Sequence, residues 1–358
     1  MTRSLAVEHN YRCAIGDHPT TAPPCRPTVS IIVPVYNEID CLDRLVADLL
    51  AQDYERIVEF WFADGCSQDG TYEALLRLSD VDDRIRVIRN PKRGPAAGIN
   101  LALEQATGDI VNRLDAHARY DPDVVTNSVE ALLATGAGGV GAIARPSAGR
   151  TLIGRAIVAA HKSPFGVGVA KFRRDGAEGW TDAIWNGCYW KHIVDRVGLL
   201  REDLHRAEDN DFNARIQGLG YGLYLSPAIR AWYLPRQTLG SLWRQYFANG
   251  IGVVRAARER PDAVSWRHFA PLALVLALSC SALITIAWPE GLLGLVSLLG
   301  YLGVLAVATL LAAGQERGAY LLLLPVVLAT LHVSYGFGSF RALVGDPLIA
   351  LFRRVRLV

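Results

Sequence analysis

One short segment of the sequence brings an acid and an imidazole together in a pattern that could hold a metal ion. Asp115-Ala116-His117 directly follows a strand predicted over Ile110–Leu114. Because side chains alternate along a strand, Asp115 and His117 point to the same side, where a carboxylate oxygen and an imidazole nitrogen can bind one divalent cation. On its own spacing, however, the segment favours the plainer interpretation of a capping aspartate beside a surface histidine.

Two further segments end a predicted buried strand in small, polar or turn-forming residues. The first is Pro34-Val35-Tyr36-Asn37-Glu38, and the second is Asp64-Gly65-Cys66-Ser67-Gln68-Asp69-Gly70-Thr71. Loops of this kind, placed before a helix, leave backbone amides and carboxylates facing a ligand. Taken separately, each is better explained as ordinary turn chemistry, so their meaning depends on whether they come together.

An alternation of strands and helices is predicted to position these segments. The strands are Val29–Val33, Val58–Ala63, Ile85–Ile88, Ile110–Leu114 and Val140–Ala144, and the helices between them are Ile39–Leu50, Thr71–Leu78, Ala96–Gln105 and Pro122–Leu133. This α/β pattern is typical of a parallel sheet with crossover helices. Ligand sites in such sheets form at the carboxyl ends of the strands, so the polar residues that follow each strand are expected to converge.

Taken in order, these segments resemble the family 2 glycosyltransferases, whose catalytic domain has the GT-A fold, a Rossmann-like fold for nucleotide-diphospho-sugars. The family typically has a P-x-Y-N-E-like segment, then D-D/N/G-G-S-x-D-G-T, then an Asp-x-Asp after a later strand. The matching residues here are Pro34 to Glu38, Asp64 to Thr71 and Asp115 to His117, followed by Arg206-Ala207-Glu208-Asp209-Asn210-Asp211-Phe212-Asn213, which is similar to the family's Glu-Asp dyad. The resemblance covers roughly residues 28 to 235.

The resemblance implies a nucleotide pocket at the first two segments. Pro34, Tyr36 and Glu38 would line this pocket, and Asp64 would contact the nucleobase.

The resemblance also implies a metal site and a catalytic carboxylate. Asp115 and His117 would bind a divalent cation, Mg²⁺ or Mn²⁺, that bridges the donor diphosphate, although His117 stands where the family usually has a second aspartate. Asp209, beside Glu208, would be the general base on the acceptor hydroxyl. Both roles suit the chemistry, since a cation stabilises the charge left on the departing phosphate and a positioned carboxylate activates a weak hydroxyl nucleophile.

Six further residues are weaker candidates for the donor or acceptor pocket. They are Lys92, Asn100, Trp185, Asn186, Gly187 and Gln245. For the first two, a solvated loop and a helix start are equally good explanations. For Trp185, burial in the core is the more common role of a tryptophan.

The C-terminal part of the chain has the composition of membrane helices. Between Phe269 and Phe340 the charged residues are Glu290, Glu316 and Arg317, although 20% of the whole chain is charged. Three apolar stretches, Phe269–Trp288, Gly291–Ala313 and Ala319–Phe340, have the roughly 20 residues that a transmembrane helix needs. Pro325 and His332 make the third less regular, so it is predicted either to span or to enter only partly.

The segment before these stretches is predicted to be an amphipathic helix. Leu239–Arg260 has aromatic and aliphatic residues on one side and arginines on the other, which suits a helix in the membrane interface. An ordinary surface helix on the enzyme core is the alternative. The arginines that precede the first apolar stretch predict that the N-terminal domain lies on the cytosolic side.

The sequence therefore predicts five regions. They are a flexible tail (1–27), a GT-A domain (28–238), an interfacial segment (239–267), a transmembrane region of two or three helices (268–345) and a basic tail (346–358). The net charge of +2 and the scattered six cysteines favour neither a nucleic-acid partner nor a cysteine metal cluster.

The predicted activity is that of an inverting, metal-dependent glycosyltransferase. Its combination of catalytic domain and C-terminal apolar helices resembles the membrane-attached bacterial exopolysaccharide branch of the family, of the succinoglycan type. The expected donor is a nucleotide-sugar, UDP-linked, the expected acceptor is a lipid-carried saccharide, and the expected place is the cytosolic face of the cell inner membrane, among membrane lipids. Two alternatives are a polyprenyl-phosphate glycosyltransferase similar to dolichyl-phosphate-mannose synthases, and a non-catalytic nucleotide-sugar-binding membrane protein.

Overall fold

The computed structural model describes residues 26–166, 171–204, 208–259, 264, 266–288 and 292–355. The chain divides into two compact units, one of Met1–Arg145 with Ala170–Leu234 and one of Pro146–Val169 with Pro235–Val358. The division differs from the predicted contiguous domain 28–238, because residues 146–169 group with the C-terminal part of the chain. Almost all of the predicted flexible tail, 1–27, lies outside the described residues.

Among the described residues, nine strands form one mixed sheet in the first unit. They are β1 (Val29–Val35), β2 (Ile57–Asp64), β3 (Ile85–Arg89), β4 (Ile110–Arg113), β5 (Ala118–Tyr120), β6 (Gly139–Pro146), β7 (Gly179–Thr181), β8 (Trp185–Trp190) and β9 (Leu223–Tyr233). Their spatial order is β3-β2-β1-β4-β8-β6-β9-β5, and β7 pairs with β9. The strands β1 to β4 are parallel to one another, whereas β8 runs antiparallel to both β4 and β6.

The helices are numbered through both units. They are α1 (Ile39–Leu50), α2 (Thr71–Ser79), α3 (Pro95–Gln105), α4 (Val124–Thr135), α5 (Leu152–Lys162), α6 (Lys191–Val197), α7 (Glu208–Gly218), α8 (Leu239–Glu259), α9 (Ala270–Ala287), α10 (Leu293–Gln315) and α11 (Leu324–Val355). The helices α1, α2 and α4 cover one face of the sheet, and α3, α6 and α7 cover the other. Both faces of the central strands are therefore buried, which explains their continuous apolar runs.

The predicted α/β class is confirmed, and every strand and helix predicted in the first part of the chain is present. Helix α1 has the predicted bounds, Ile39–Leu50. The sequence analysis did not identify β5, β7, β8 and β9, which belong to the antiparallel part of the sheet. Two of these strands have only three residues, and β8 contains a glycine and an asparagine, so these three strands do not resemble an apolar parallel strand.

The second unit is helical and apolar. Three segments, Trp266–Ala287, Leu293–Gln315 and Ala319–Asp346, are long and apolar enough to cross a membrane. They correspond to the three predicted stretches. Pro325 lies in the first turn of α11, where a missing backbone N–H costs nothing, so it does not interrupt the helix. Helix α11 continues to Val355, so the predicted basic tail is helical over its described residues.

Helix α8 packs closely on α11, with glycines at the contact. A Cβ added at Gly250 would overlap the Tyr335 carbonyl oxygen, and one added at Gly338 would overlap that of Phe247. The apolar side of α8, which the sequence assigned to the membrane interface, therefore lies against α11. Trp243 of α8 is partly exposed, and the interfacial assignment of α8 stays a prediction.

Candidate active site

The two loops predicted to bind the nucleotide interlock at the carboxyl ends of β1 and β2. The N–H of Asn37 donates to Ser67 Oγ (2.9 Å), while Asn37 Oδ1 accepts from the N–H of Gln68 (2.8 Å). The N–H of Glu38 donates to Thr71 Oγ1 (2.9 Å). Asn37 has a φ of 53°, a left-handed conformation that asparagine tolerates better than most residues. The loops therefore form a single structure whose shape depends on side-chain bonds to backbone amides.

Asp69 joins the first turns of the two helices that follow these loops. Its Oδ1 accepts from the N–H (3.1 Å) and the hydroxyl (2.6 Å) of Thr71, and its Oδ2 accepts from the N–H of Ile39 (3.1 Å). Burial alone would raise the pKa of Asp69, but these three bonds outweigh it and hold the pKa below its ordinary value. Asp69 therefore acts as an ionised clamp between α1 and α2.

The four residues predicted for the nucleotide pocket lie on these neighbouring strand ends. Asp64 is fully buried in β2, opposite Val35 of β1, and its carboxylate accepts from the N–H of Ser67 (3.1 Å). Pro34 lies in β1 and the half-exposed Tyr36 directly follows it. The structure thus brings Pro34, Tyr36, Glu38 and Asp64 to one edge of the sheet, and their contact with a nucleotide stays a prediction.

Glu38 connects this loop pair with the predicted metal site. Its Oε1 lies 3.7 Å from Nδ1 of His117, and its Oε2 accepts from the Cys41 thiol (3.0 Å). Burial, reinforced by the neighbouring Glu38 carboxylate, raises the pKa of Cys41 to about 12, so this thiol stays protonated at neutral pH. The polar residues that follow the strands were expected to converge, and Glu38 and His117 do lie close together.

Asp115 is held from two directions at the end of β4. The indole N–H of Trp185 donates to Oδ2 (2.9 Å), and Nη2 of Arg113 lies 3.3 Å from Oδ1. Burial alone would raise the pKa of Asp115, but the charges of Arg113 and His117 and the indole bond outweigh it and hold the pKa below its ordinary value. Asp115 is therefore an oriented carboxylate at neutral pH, as a metal ligand should be.

Arg113 contacts both the predicted base, Asp209, and Asp115. Its Nη1 donates to Oδ1 of Asp209, in the first turn of α7. The adjacent Glu208 is buried. Burial alone would lower the pKa of Arg113, but the negative charges of Asp209, Asp115 and Glu208 raise the pKa by more. The guanidinium therefore stays charged. Asp115 and Asp209 lie far apart in the sequence and are nevertheless neighbours of one cation.

The donor set at Asp115 and His117 fits a divalent cation that is shared with a substrate. Among the described residues, no group of three His, Cys, Asp or Glu side chains could hold a metal ion alone. A carboxylate and an imidazole can supply two ligands to Mg²⁺ or Mn²⁺, and phosphate oxygens and water would have to supply the rest. His117 is half exposed, which leaves its ring accessible to such an ion.

Trp185, Asn186 and Gly187 lie at the start of β8 beside Asp115. Nδ2 of Asn186 donates to the Tyr120 hydroxyl (3.2 Å), which in turn donates to the backbone carbonyl of Asp115 (2.9 Å). A Cβ at Gly187 would overlap the ring of Tyr189. The structure thus shows Trp185 and Asn186 supporting Asp115, while the predicted contact of all three residues with an acceptor stays a prediction.

Lys92 and Asn100 have structural partners in the segment that precedes α7. The buried Asn100 side chain donates to the carbonyl oxygen of Leu200 and accepts from its N–H, both at 2.8 Å. Lys92 donates to Glu202 (2.5 Å). These bonds favour the structural interpretation over the predicted pocket role, especially for Asn100. Gln245 belongs to the second unit, where its side-chain oxygen accepts from Arg236 (3.2 Å), so its pocket role stays a prediction.

Two residues of the site were missed by the sequence analysis. Arg113 precedes Asp115 by two positions, so strand alternation already placed both on one face, and an arginine in an otherwise apolar strand was a usable signal. Tyr120 gave no comparable signal, because its bond to Asp115 depends on the short strand β5.

Comparisons with known proteins show which proteins this chain is similar to. Residues 30–187 match the family model Glycosyl transferase family 2. Succinoglycan biosynthesis protein ExoA of Rhizobium meliloti is 28% identical over 320 residues, which are 88% of this chain and 94% of that protein.

A second relative and a solved structure extend the similarity over most of the chain. The dolichyl N-acetyl-alpha-D-glucosaminyl phosphate 3-beta-D-2,3-diacetamido-2,3-dideoxy-beta-D-glucuronosyltransferase of Methanococcus voltae is 23% identical over 327 residues, 88% of this chain and 97% of that protein. The mannosyltransferase PcManGT from Pyrobaculum calidifontis, solved with GDP-Man and Mn²⁺, aligns with a TM-score of 0.56 and 21% identity over 95% of this chain and 94% of that one. The structural similarity confirms the predicted fold, a GT-A domain followed by apolar helices.

Proposed function

We propose that this chain, whose residues 30–187 match the family model Glycosyl transferase family 2, transfers a sugar from a nucleotide-sugar to a lipid-carried saccharide, with inversion at the anomeric carbon. The observation that carries the proposal is a continuous set of contacts within the first unit. It runs from Asp64 through the interlocked loops to Glu38 and His117, and from Asp115 through Arg113 to Asp209. The residues predicted for the nucleotide pocket, the metal site and the base therefore lie next to one another, which supports the proposal.

The donor is assigned to the side of the site formed by the β1 and β2 loops. Asp64 and Glu38 supply acceptors for a base and a ribose, and Asp115 and His117 would hold the divalent cation against the diphosphate. When bound, that cation stabilises the negative charge that develops on the departing phosphate. PcManGT was solved with a nucleotide-sugar and Mn²⁺ together, which supports the same arrangement here.

The acceptor is assigned to the side of Asp209. Its carboxylate takes the proton from the acceptor hydroxyl as the hydroxyl oxygen forms a bond to the anomeric carbon. The bond from that carbon to the diphosphate breaks in the same step, and the nucleoside diphosphate leaves. Because attack and departure take place on opposite faces of the sugar, the configuration is inverted. A general base in this position contributes roughly 10²–10⁴-fold to the rate.

The acceptor is proposed to be carried by a membrane lipid. Three segments of the second unit could span a membrane, and the names of two relatives refer to succinoglycan biosynthesis and to a dolichyl phosphate sugar. Residence at the cytosolic face of a bacterial inner membrane would restrict enzyme and lipid to a common surface. The donor nucleotide is proposed to be uridine diphosphate, and the assay below includes guanosine diphosphate because of the PcManGT complex.

The test is a donor panel with the full-length protein purified in detergent. UDP-glucose, UDP-galactose, UDP-N-acetylglucosamine and GDP-mannose are each incubated with a bacterial lipid extract and Mn²⁺ or Mg²⁺. Release of nucleoside diphosphate and the mass of the lipid product are recorded. We expect one UDP-sugar to be turned over, only with lipid and metal present, giving a lipid-linked saccharide one sugar heavier.

Other outcomes of the panel contradict the proposal in distinct ways. A product in which the sugar is joined directly to polyprenyl phosphate would replace the proposed acceptor. Binding of nucleotide-sugar without any release of nucleoside diphosphate would indicate a non-catalytic binding protein. Turnover that persists in excess EDTA would remove the metal from the mechanism.

A further inference from the structure

We propose that Arg113 is a positioning residue that fixes the catalytic base relative to the metal-binding carboxylate. This inference rests on the proposed function, because it assigns to Arg113 the task of orienting Asp209 for proton transfer. The residue is on β4, so its backbone is held by the centre of the sheet, whereas Asp209 lies in the first turn of α7.

Arg113 contacts two carboxylates at the same time. One guanidinium nitrogen, Nη1, donates to Oδ1 of Asp209, and the other, Nη2, lies 3.3 Å from Oδ1 of Asp115. A guanidinium is a rigid planar fork, so it fixes the direction of both carboxylates at once. Within the described residues, Oδ2 of Asp209 forms no hydrogen bond, which leaves that oxygen for the proton of an acceptor.

The two carboxylates differ in how much support they have without Arg113. The Asp115 side chain is 14% exposed and is also bonded to Trp185, whereas the Asp209 side chain is 40% exposed. Loss of Arg113 would therefore leave Asp115 with its indole bond but leave Asp209 without its cation. Repulsion from the nearby Asp115 charge would then favour orientations of Asp209 that point away from the reaction.

The surroundings of the pair offer no replacement for Arg113. A cavity of about 20 Å³ adjoins Arg113 and Asp209, and its other lining residues are apolar or aromatic, among them Ile32, Val111, Tyr189 and Phe212. None of the lining residues besides Arg113 is a cation. Among the described residues that line this cavity, Arg113 is therefore the side chain that can orient Asp209 through its charge.

The test is a double-mutant cycle in the full-length protein. Arg113→Gln, Asp209→Asn and the double variant are compared with the wild type for product formation, donor KM and thermal unfolding. We expect Arg113→Gln to lower kcat by about 10²-fold, the cost of misplacing a reacting group by about 1 Å, with donor KM changed by less than about threefold. In the Asp209→Asn background the same change should have no further effect on kcat.

A matched control separates positioning from loss of a buried charge. Arg145 is as buried as Arg113, with side chains 19% and 18% exposed, and bonds Asp175 and the carbonyl oxygens of Pro227 and Ile229. Arg145→Gln removes an equally buried guanidinium outside the site, so it should lower stability without reducing kcat. If Arg113→Gln does not fold, Arg113→Lys replaces it in the double-mutant cycle, since a lysine keeps the charge but cannot contact both carboxylates at once.

Each outcome has a defined meaning. Equal losses of kcat from Arg113→Gln in the wild-type and Asp209→Asn backgrounds would overturn the inference, because Arg113 would then act on the donor independently of Asp209. An unchanged kcat in Arg113→Gln would overturn it as well. A wild-type protein that turns over no donor would instead refute the proposed function.

Discussion

The two halves of the candidate site are held together by different forces. On the donor side, the loops after β1 and β2 are joined by separate side-chain bonds to backbone amides, such as those of Asn37 and Asp69. On the acceptor side, Asp209 is bonded to the guanidinium of Arg113, which also lies beside the predicted metal ligand Asp115. Each hydrogen bond between a side chain and a backbone amide contributes about 1 kcal/mol to folding stability. Removing one member of a buried ion cluster, in contrast, leaves an unbalanced charge. The donor half should therefore tolerate single substitutions better than the acceptor half.

The largest effect is expected for Asp209→Asn. The variant keeps a side chain of the same shape but cannot take a proton, so transfer should fall by roughly 10²–10⁴-fold. The dissociation constant of the nucleotide-sugar, measured by calorimetry, should stay within about twofold, since Asp209 belongs to the acceptor half. Asp195→Asn, which removes a surface carboxylate paired with Lys191, is the control and should leave transfer unchanged. Retained turnover in Asp209→Asn would refute its assignment as the base.

An intermediate effect is expected for Trp185→Phe. This change keeps an aromatic ring but removes the N–H that bonds Asp115 Oδ2 at 2.9 Å. Loss of an outer partner of a metal ligand typically weakens metal binding by about 10–100-fold, so the Mn²⁺ concentration needed for half-maximal activity should rise by about tenfold or more. A raised KM for the acceptor with an unchanged metal requirement would show instead that Trp185 contacts the acceptor.

The smallest effect on turnover is expected for Asp69→Asn in the donor half. We expect unfolding free energy to fall by about 1 kcal/mol at neutral pH, because bonds to an ionised acceptor are weakened. The pKa of Asp69 is lowered in the folded chain, so its contribution is present above the ordinary aspartate pKa and is lost as the pH falls through the lowered value. The difference from wild type should therefore shrink in acid, as measured by chemical unfolding at several pH values.

A matched aspartate sharpens the comparison for Asp69. Asp82 also has a lowered pKa, caused by Arg84, and lies outside the two loops. Asp82→Asn should reproduce the pH-dependent loss of stability without changing the donor KM, whereas Asp69→Asn should raise that KM several-fold. A donor KM that rises equally in both variants would contradict a specific role of the Asp69 clamp.

The sequence predicted the donor half more completely than the acceptor half, and the reason is physical. The donor loops are continuous segments whose turn residues bond to neighbouring amides, so their form is encoded locally. The acceptor half depends on partners from distant strands, such as Trp185 on β8 and Tyr120 on β5. Local patterns do not encode such pairings. Asn100 illustrates the same limit, because it was predicted either to help hold the donor or to belong to a helix start, and its bond to Leu200, 100 positions away, was not foreseen.

The glycine contacts between α8 and α11 also affect how the second unit can respond to its lipid surroundings. Helix α11 has 32 residues, which corresponds to about 48 Å, and the hydrocarbon layer of a typical bilayer is about 30 Å thick. A helix of this length adapts to thinner or thicker bilayers by changing its tilt. Since the two backbones touch at Gly250 and Gly338, α8 must follow α11 as one rod. At the proposed membrane location, acyl-chain length would thereby set the inclination of α8, an aromatic, arginine-bearing helix that is not one of the three segments apolar enough to span a bilayer.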